Sequence, residues 1–177
     1  MRDELLVDKR LVRRSFERAA ATYDSAAVLQ HEVCQRMLGR LDYIKCQPAT
    51  LLDAGSGTGN ALAGLAQRYP QARLIALDIA PAMLLHSRSR VPWWKKLLVR
   101  HPQPAAVCAD IERLPVADAS VGMVWSNLAL QWVNDPQQAF AEMQRVLTPG
   151  GLLMFSTFGP DTLKELRIAY QGTDRHT

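Results

Sequence analysis

Three groups of residues have types and spacing that could do chemistry. The first is the segment Asp53-Ala54-Gly55-Ser56-Gly57-Thr58-Gly59, between an apolar run and a helical pattern. Glycines there let the backbone turn sharply and let a ligand touch the main chain. The helix N-terminus behind the loop offers free N–H groups to an anionic group. Alone, such a loop also reads as an ordinary tight turn. The second group is Asp78-Ile79, about 20 residues further on, where a carboxylate closing a strand can accept hydrogen bonds from ribose hydroxyls. The third is Asp110-Ile111, an acceptor beside an apolar side chain, which suits the exocyclic amine and the face of adenine. Each aspartate alone also reads as a helix cap or loop residue. Together they stand at the carboxyl ends of consecutive strands, where an open α/β sheet binds its ligand.

The loop spacing separates two ligands. It runs G-x-G-x-G, whereas a pyrophosphate-binding loop runs G-x-G-x-x-G. Asp53 precedes it, and a carboxylate there repels pyrophosphate but accepts from the ammonium of a methionine moiety. The pattern therefore favours S-adenosyl-L-methionine over a dinucleotide. The candidate cofactor-binding residues are Asp53, Gly55, Ser56, Gly57, Gly59, Asp78, Ile79, Met83, Asp110, Ile111 and Asn127.

The elements that must position these residues follow from hydrophobic periodicity. From Lys9 to Leu41 the pattern is helical, with Val12, Phe16, Ala19 and Ala20 at helical spacing and a second stretch from Val28 to Leu41. Thr50–Ala54 reads as a buried strand. Leu62, Leu65, Ala66 and Tyr69 mark a helix that Pro70 ends. Arg73–Leu77 is a second strand, followed by a helix from Pro81. Ala105–Ala109 and Val121–Trp125 are the third and fourth strands. Asp135-Pro136 is an N-cap with proline at the first helical position, and Phe140, Met143, Val146 and Leu147 form that helix's apolar face. Thr148-Pro149-Gly150-Gly151 stops it, Leu152–Phe158 is a fifth strand, and Asp161–Tyr170 is a last helix. Apolar, non-alternating strands between helices imply a doubly wound α/β fold with a mostly parallel sheet covered on both faces.

The 177 residues suffice for one sizeable core. With 48% hydrophobic and 21% charged residues, the composition is that of a globular protein. Cys34, Cys46 and Cys108 are widely spaced and odd in number, so neither a disulfide framework nor a zinc site is expected. The charged N-terminus does not look like a signal peptide, and no run matches a membrane span. The expectation is a cytoplasmic protein without metal, membrane or nucleic-acid partner.

Other residues divide between packing and function. Trp125, closing a strand, is expected in the core. Asn127, Gln131 and Trp132 follow on the ligand side and are candidates for function or for loop hydrogen bonding. His31, His86, His101 and His176 show no metal spacing. Arg88, Arg90, Lys95, Lys96 and Arg100 form a basic run around Trp93 and Trp94, read either as a solvated face or as a docking strip for an acidic partner.

The stretches LLDAGSGTGN, ALDIAPAML, CADIERLPVADASV and PGGLLMFSTF resemble class I S-adenosylmethionine-dependent methyltransferases. FERAAATYDSAA, SNLALQWVNDP and FGPDTLKEL are similar to the malonyl-acyl-carrier-protein O-methyltransferases of biotin biosynthesis. The resemblance implies a Rossmann-like fold in a single domain: a helical cap over residues 1–45, a cofactor-binding core over 50–158 and the start of a C-terminal part at 159–177. In that family the chain continues, so truncation after the fifth strand is expected. The resemblance also implies Tyr23 in a lid over the cofactor. The implied reaction methylates the free carboxylate of malonyl-acyl-carrier protein (or malonyl-coenzyme A). A methyltransferase acting on a quinone or phenol, which would want a base near the sulfonium, and a non-catalytic cofactor-binding or carrier-docking fragment are the alternatives. An ionised carboxylate needs no general base, in keeping with the lack of any catalytic triad.

Overall fold

The computed structural model describes residues 6–89 and 103–171. The short apolar runs become five parallel strands: β1 (Thr50–Ala54), β2 (Arg73–Asp78), β3 (Ala105–Cys108), β4 (Val121–Asn127) and β5 (Leu147–Ser156). Their order is β3-β2-β1-β4-β5. The chain winds outward from β1 to β3, crosses back beside β1 as β4, and winds out again to β5. The crevice therefore opens between β1 and β4, where the winding reverses.

Helices lie before, among and after the strands: α1 (Lys9–Ala19), α2 (Tyr23–Ala26), α3 (Val28–Arg40), α4 (Leu62–Arg68), α5 (Pro81–Ser89), α6 (Pro136–Val146) and α7 (Lys164–Gln171). α6 starts as its sequence requires, with the Asp135 carboxylate accepting from the Gln138 N–H at 3.0 Å and Pro136 in the first turn.

Because neighbouring strand residues point to opposite faces, the central strands feed two cores. Leu52 and Val124 pack with Ala139, Met143 and Val146 under α6. Leu51, Met123 and Trp125 pack with Cys34, Met37 and Leu65 under α3 and α4. Burial pushes the Cys34 thiol up to about 12, so it stays neutral there.

The structure moves several boundaries: β2 runs one residue further, to Asp78, and β3 ends one residue earlier, at Cys108. Trp125 is fully buried, but β4 continues past it to Asn127. β5 begins directly after α6 at Leu147 and ends at Ser156, because Thr148–Gly151 bulges within the strand. Leu147 pairs with Val121 and Leu152 already pairs with Met123. Gly150 makes the bulge feasible with φ +77°. The last helix starts at Lys164, because Leu163 takes φ +57°, which no helix interior allows. Among the described residues, no helix is long and apolar enough to cross a membrane.

Candidate functional site

At the carboxyl ends of the strands lies a cleft, at the place where open α/β sheets take up their ligands. Its floor is the loop after β1. The Gly55 and Ser56 N–H groups donate to the Leu77 carbonyl at 2.8 and 2.9 Å, tying the loop to β2. Gly55 has φ +80°, and a Cβ there would lie 2.3 Å from the Cβ of Ala129. Gly57 has φ +53°, with nothing within 4 Å of where its Cβ would stand. That open side is where a ligand can approach the backbone.

Asp78 organises this floor. Its Oδ2 accepts from the Gly57 N–H at 2.8 Å and its Oδ1 from the Ala80 N–H at 2.9 Å. Burial raises its pKa, while bonds from the Ala80, Gly57 and Ile79 N–H groups oppose the rise. A carboxylate offers about four acceptor sites, so acceptor capacity remains toward the cleft. Ile79 and Met83 flank it on the β2–α5 side.

The far end is built around Asp110, whose Oδ1 accepts from the Glu112 N–H and from Lys9 Nζ, both at 3.1 Å. Ile111 stands beside it, lining the cleft and reaching into the core under α6. The roof comes from the N-terminal helices, through Lys9, Val12, Phe16 and Tyr23. Phe16 stacks edge-on against Trp132 at 5.2 Å and Tyr23 at 6.1 Å. Burial, then the charges of Asp78 and Asp24, raise the Tyr23 pKa, keeping the phenol neutral.

A second, more polar lobe shares Tyr23, Gly55, Gly57 and Asn127 with the first. Asp53 and Ser56 line it, with Gln30, His31, Asn60 and Trp125. Asp53 is 2% exposed. Its pKa is pushed up to about 8, by burial first and then by the charge of Asp78. Asp53 Oδ2, Ser56 Oγ and Asn60 Nδ2 are buried with no hydrogen-bond partner among the described residues. Buried polar groups are seldom left so. This unmet capacity, with the open flank of Gly57, is what an amino-acid moiety bearing an ammonium group fits.

The structure thus brings eleven of the twelve expected residues to the two lobes. Gly59 is the exception. It lines neither, and its φ of +82° and a would-be Cβ 2.2 Å from Ser87 Oγ make it a packing glycine against α5. Asn127 reaches the cleft while tied down: its Nδ2 donates to the Gln30 carbonyl at 2.9 Å and its Oδ1 accepts from Ser156 Oγ at 2.9 Å. Trp132 lines the cleft, whereas Gln131 turns away and bonds the Leu128 carbonyl. His31 is held by the Ala27 carbonyl at 2.7 Å, and His86 stands 3.6 Å from Asp24. His101, His176, Trp93, Trp94 and the basic run from Arg90 to Arg100 lie outside the described residues, and of Arg88 no side chain is described.

Sequence reasoning missed Lys9, Leu128 and Asp24. Lys9 and Asp24 act over long range, Asp24 by accepting from Thr58 Oγ1 at 2.6 Å. Nothing local marks either. Leu128 takes φ +49°, held by its N–H to the Ser156 carbonyl and hydroxyl. A leucine gives no warning of that conformation. Val12 and Phe16 were legible as one helix face, but which surface that face covers was not.

A protein-family model described as "Methyltransferase domain" matches residues 52–155. The chain is 58% identical over 175 residues to a protein of Gallionella capsiferriformans named malonyl-[acyl-carrier protein] O-methyltransferase, covering 99% of this chain and 60% of that one. A protein of the same name from Methylovorus sp. is 58% identical over 177 residues, covering 98% and 58%. The chain thus spans about 60% of the length of the curated relatives it matches. Among solved structures, an S-adenosylmethionine-dependent methyltransferase from Mesorhizobium loti superposes with a TM-score of 0.56 at 25% identity, covering 72% of this chain and 52% of that one.

Proposed function

Because this chain belongs to the methyltransferase domain family, we propose that it transfers a methyl group from S-adenosyl-L-methionine to the free carboxylate of malonyl-acyl-carrier protein, giving the methyl ester. The name of its relatives at 58% identity supports the acceptor. The cofactor rests above all on one observation: the buried, partnerless Asp53 Oδ2 beside an open glycine flank.

In this reading Asp78 accepts from the ribose hydroxyls and Asp110 from the adenine amine, with Ile79, Met83 and Ile111 packing on the base. Asp53 accepts from the methionine ammonium, near Ser56 and Asn127. Tyr23 and Phe16 close the roof and exclude water from the reacting atoms. Bound there, the cofactor supplies a methyl group already activated on a sulfonium. A malonyl carboxylate, with a reference pKa of about 4, is ionised at neutral pH and needs no general base. The work left to the chain is orientation. We place the reaction in the reducing cytosol, which three unpaired cysteines suit.

The test is incubation with labelled S-adenosyl-L-methionine and either malonyl-acyl-carrier protein or malonyl-coenzyme A. Mass spectrometry should find one added methyl on the malonyl group. Cofactor binding by calorimetry without any malonyl methylation would remove the acceptor, and no binding at all would remove the cofactor as well.

A further inference from the structure

α1 has two unlike faces. Inward, Lys9, Val12 and Phe16 line the cleft. Outward, Arg10, Arg14 and Arg18 are exposed at i, i+4 and i+8 and so form one row, about 6 Å apart along the helix. The helix's other cations are engaged: Lys9 pairs with Asp110 and Glu112, and Arg13 with Glu17 at 2.9 Å. No ion pair among the described residues reaches Arg10, Arg14 or Arg18. Leu11, 58% exposed, shares their face, and Leu6, 56% exposed, precedes them.

Like charges at i,i+4 destabilise a helix. α3 and α6 show the contrasting arrangement, in which Arg36 pairs with Glu32 and Arg145 with Glu142 and Asp118. We propose that this outer row of α1 is the docking surface for an acidic protein partner, the carrier that bears the acceptor. The inference rests on the proposed acceptor. Guanidinium forks suit carboxylates, and the exposed leucines add an apolar contact. A phosphate backbone calls for the charges but not for the leucines. A membrane would need the helix's apolar face, which is already spent on the cleft. The same helix then roofs the cofactor on one side and receives the carrier on the other, which sets the partner down at the cleft entrance.

The test compares the 177-residue chain with its Arg10→Glu/Arg14→Glu/Arg18→Glu variant. Association with immobilised malonyl-acyl-carrier protein is followed between low and moderate salt, alongside cofactor affinity and malonyl-coenzyme A methylation. The expected result is association slowed by at least about tenfold with its salt dependence flattened. Cofactor affinity and malonyl-coenzyme A methylation should stay within about twofold, as for rim charges that tune encounter alone. Unchanged carrier association, or no carrier binding by the original chain, overturns the proposal. So does loss of duplex DNA binding in the variant with carrier binding intact, which would assign the row to nucleic acid. Arginine-dependent carrier binding without methylation of either malonyl-acyl-carrier protein or malonyl-coenzyme A leaves the docking surface standing and removes only the acceptor.

Discussion

Lys9 Nζ stands 3.1 Å from Asp110 Oδ1 although 101 residues separate them, and it also reaches Glu112 Oε1 at 2.8 Å. This bridge fastens α1 to the end of β3 at the mouth of the cleft. A second tie lies close by: the Val7 N–H donates to Asn134 Oδ1 at 2.8 Å, and Asn134 Nδ2 donates to the Val7 carbonyl at 3.0 Å. Glu112 in turn accepts from the Asn134 and Asp135 N–H groups. The roof is thus anchored to the loops that carry Asp110 and Ile111.

Lys9→Met keeps the stem's packing and removes the charge. A partly exposed bridge is worth about 1 kcal/mol or less, so cofactor release should accelerate by up to about fivefold, with a small change in melting temperature. Stopped-flow release kinetics check this. Rising salt should speed release from the original chain and change the variant little. Equal rates at low salt would show that the bridge does not hold the roof.

Asp78→Ala removes an acceptor for ligand hydroxyls and also strands the Gly57 and Ala80 N–H groups. Charge-assisted bonds are worth about 1.5–3 kcal/mol each, so cofactor affinity should fall at least about tenfold. Asp78→Asn keeps one oxygen acceptor and should lose less. Calorimetry on both variants, with circular dichroism to confirm the fold, decides. Unchanged affinity in the alanine variant removes Asp78 from the site.

Asp53 makes binding and stability depend on pH. Its folded pKa, about 8, lies above the ordinary 3.8. The folded state therefore holds a proton that the unfolded chain has released, and stability falls as pH rises from about 4 to 8. Asp53→Asn should remove that loss, raising the ligand-free melting temperature at pH 8 by several degrees relative to the original chain and changing little at pH 4. In the original chain cofactor affinity should rise from pH 6 to pH 8 as the carboxylate ionises, and in the variant it should be weak and flat. A pH-independent affinity in the original chain would contradict the ammonium contact.

Gly59→Ala should act on stability alone. The new Cβ meets Ser87 Oγ at 2.2 Å and the backbone is left-handed. A cost of about 1–3 kcal/mol is expected, read as a lower urea midpoint, and Gly59→Ala/Ser87→Gly should recover part of it. At Gly57 the added methyl finds open space, so Gly57→Ala should weaken cofactor binding by more than strain alone explains.

The sequence alone determined the strand–loop–helix unit around Asp53 to Gly59, the two aspartates at strand ends and the capped start of α6. Each is written in local terms: a short apolar run, a glycine that needs positive φ, a carboxylate three residues ahead of an N–H. The parallel sheet followed from the same runs, because strands covered on both faces cannot alternate. Long-range placement was decided only by the tertiary structure. Whether Gly59 meets a ligand or Ser87 depends on how α5 packs against the loop. Whether Thr148–Gly151 separates helix from strand or bulges within the strand depends on the β4 register. Which cations of α1 are engaged depends on where Asp110 and Glu112 arrive. A pairing across a hundred residues leaves no periodic trace in either segment, since it arises only where the folded sheet and its roof meet.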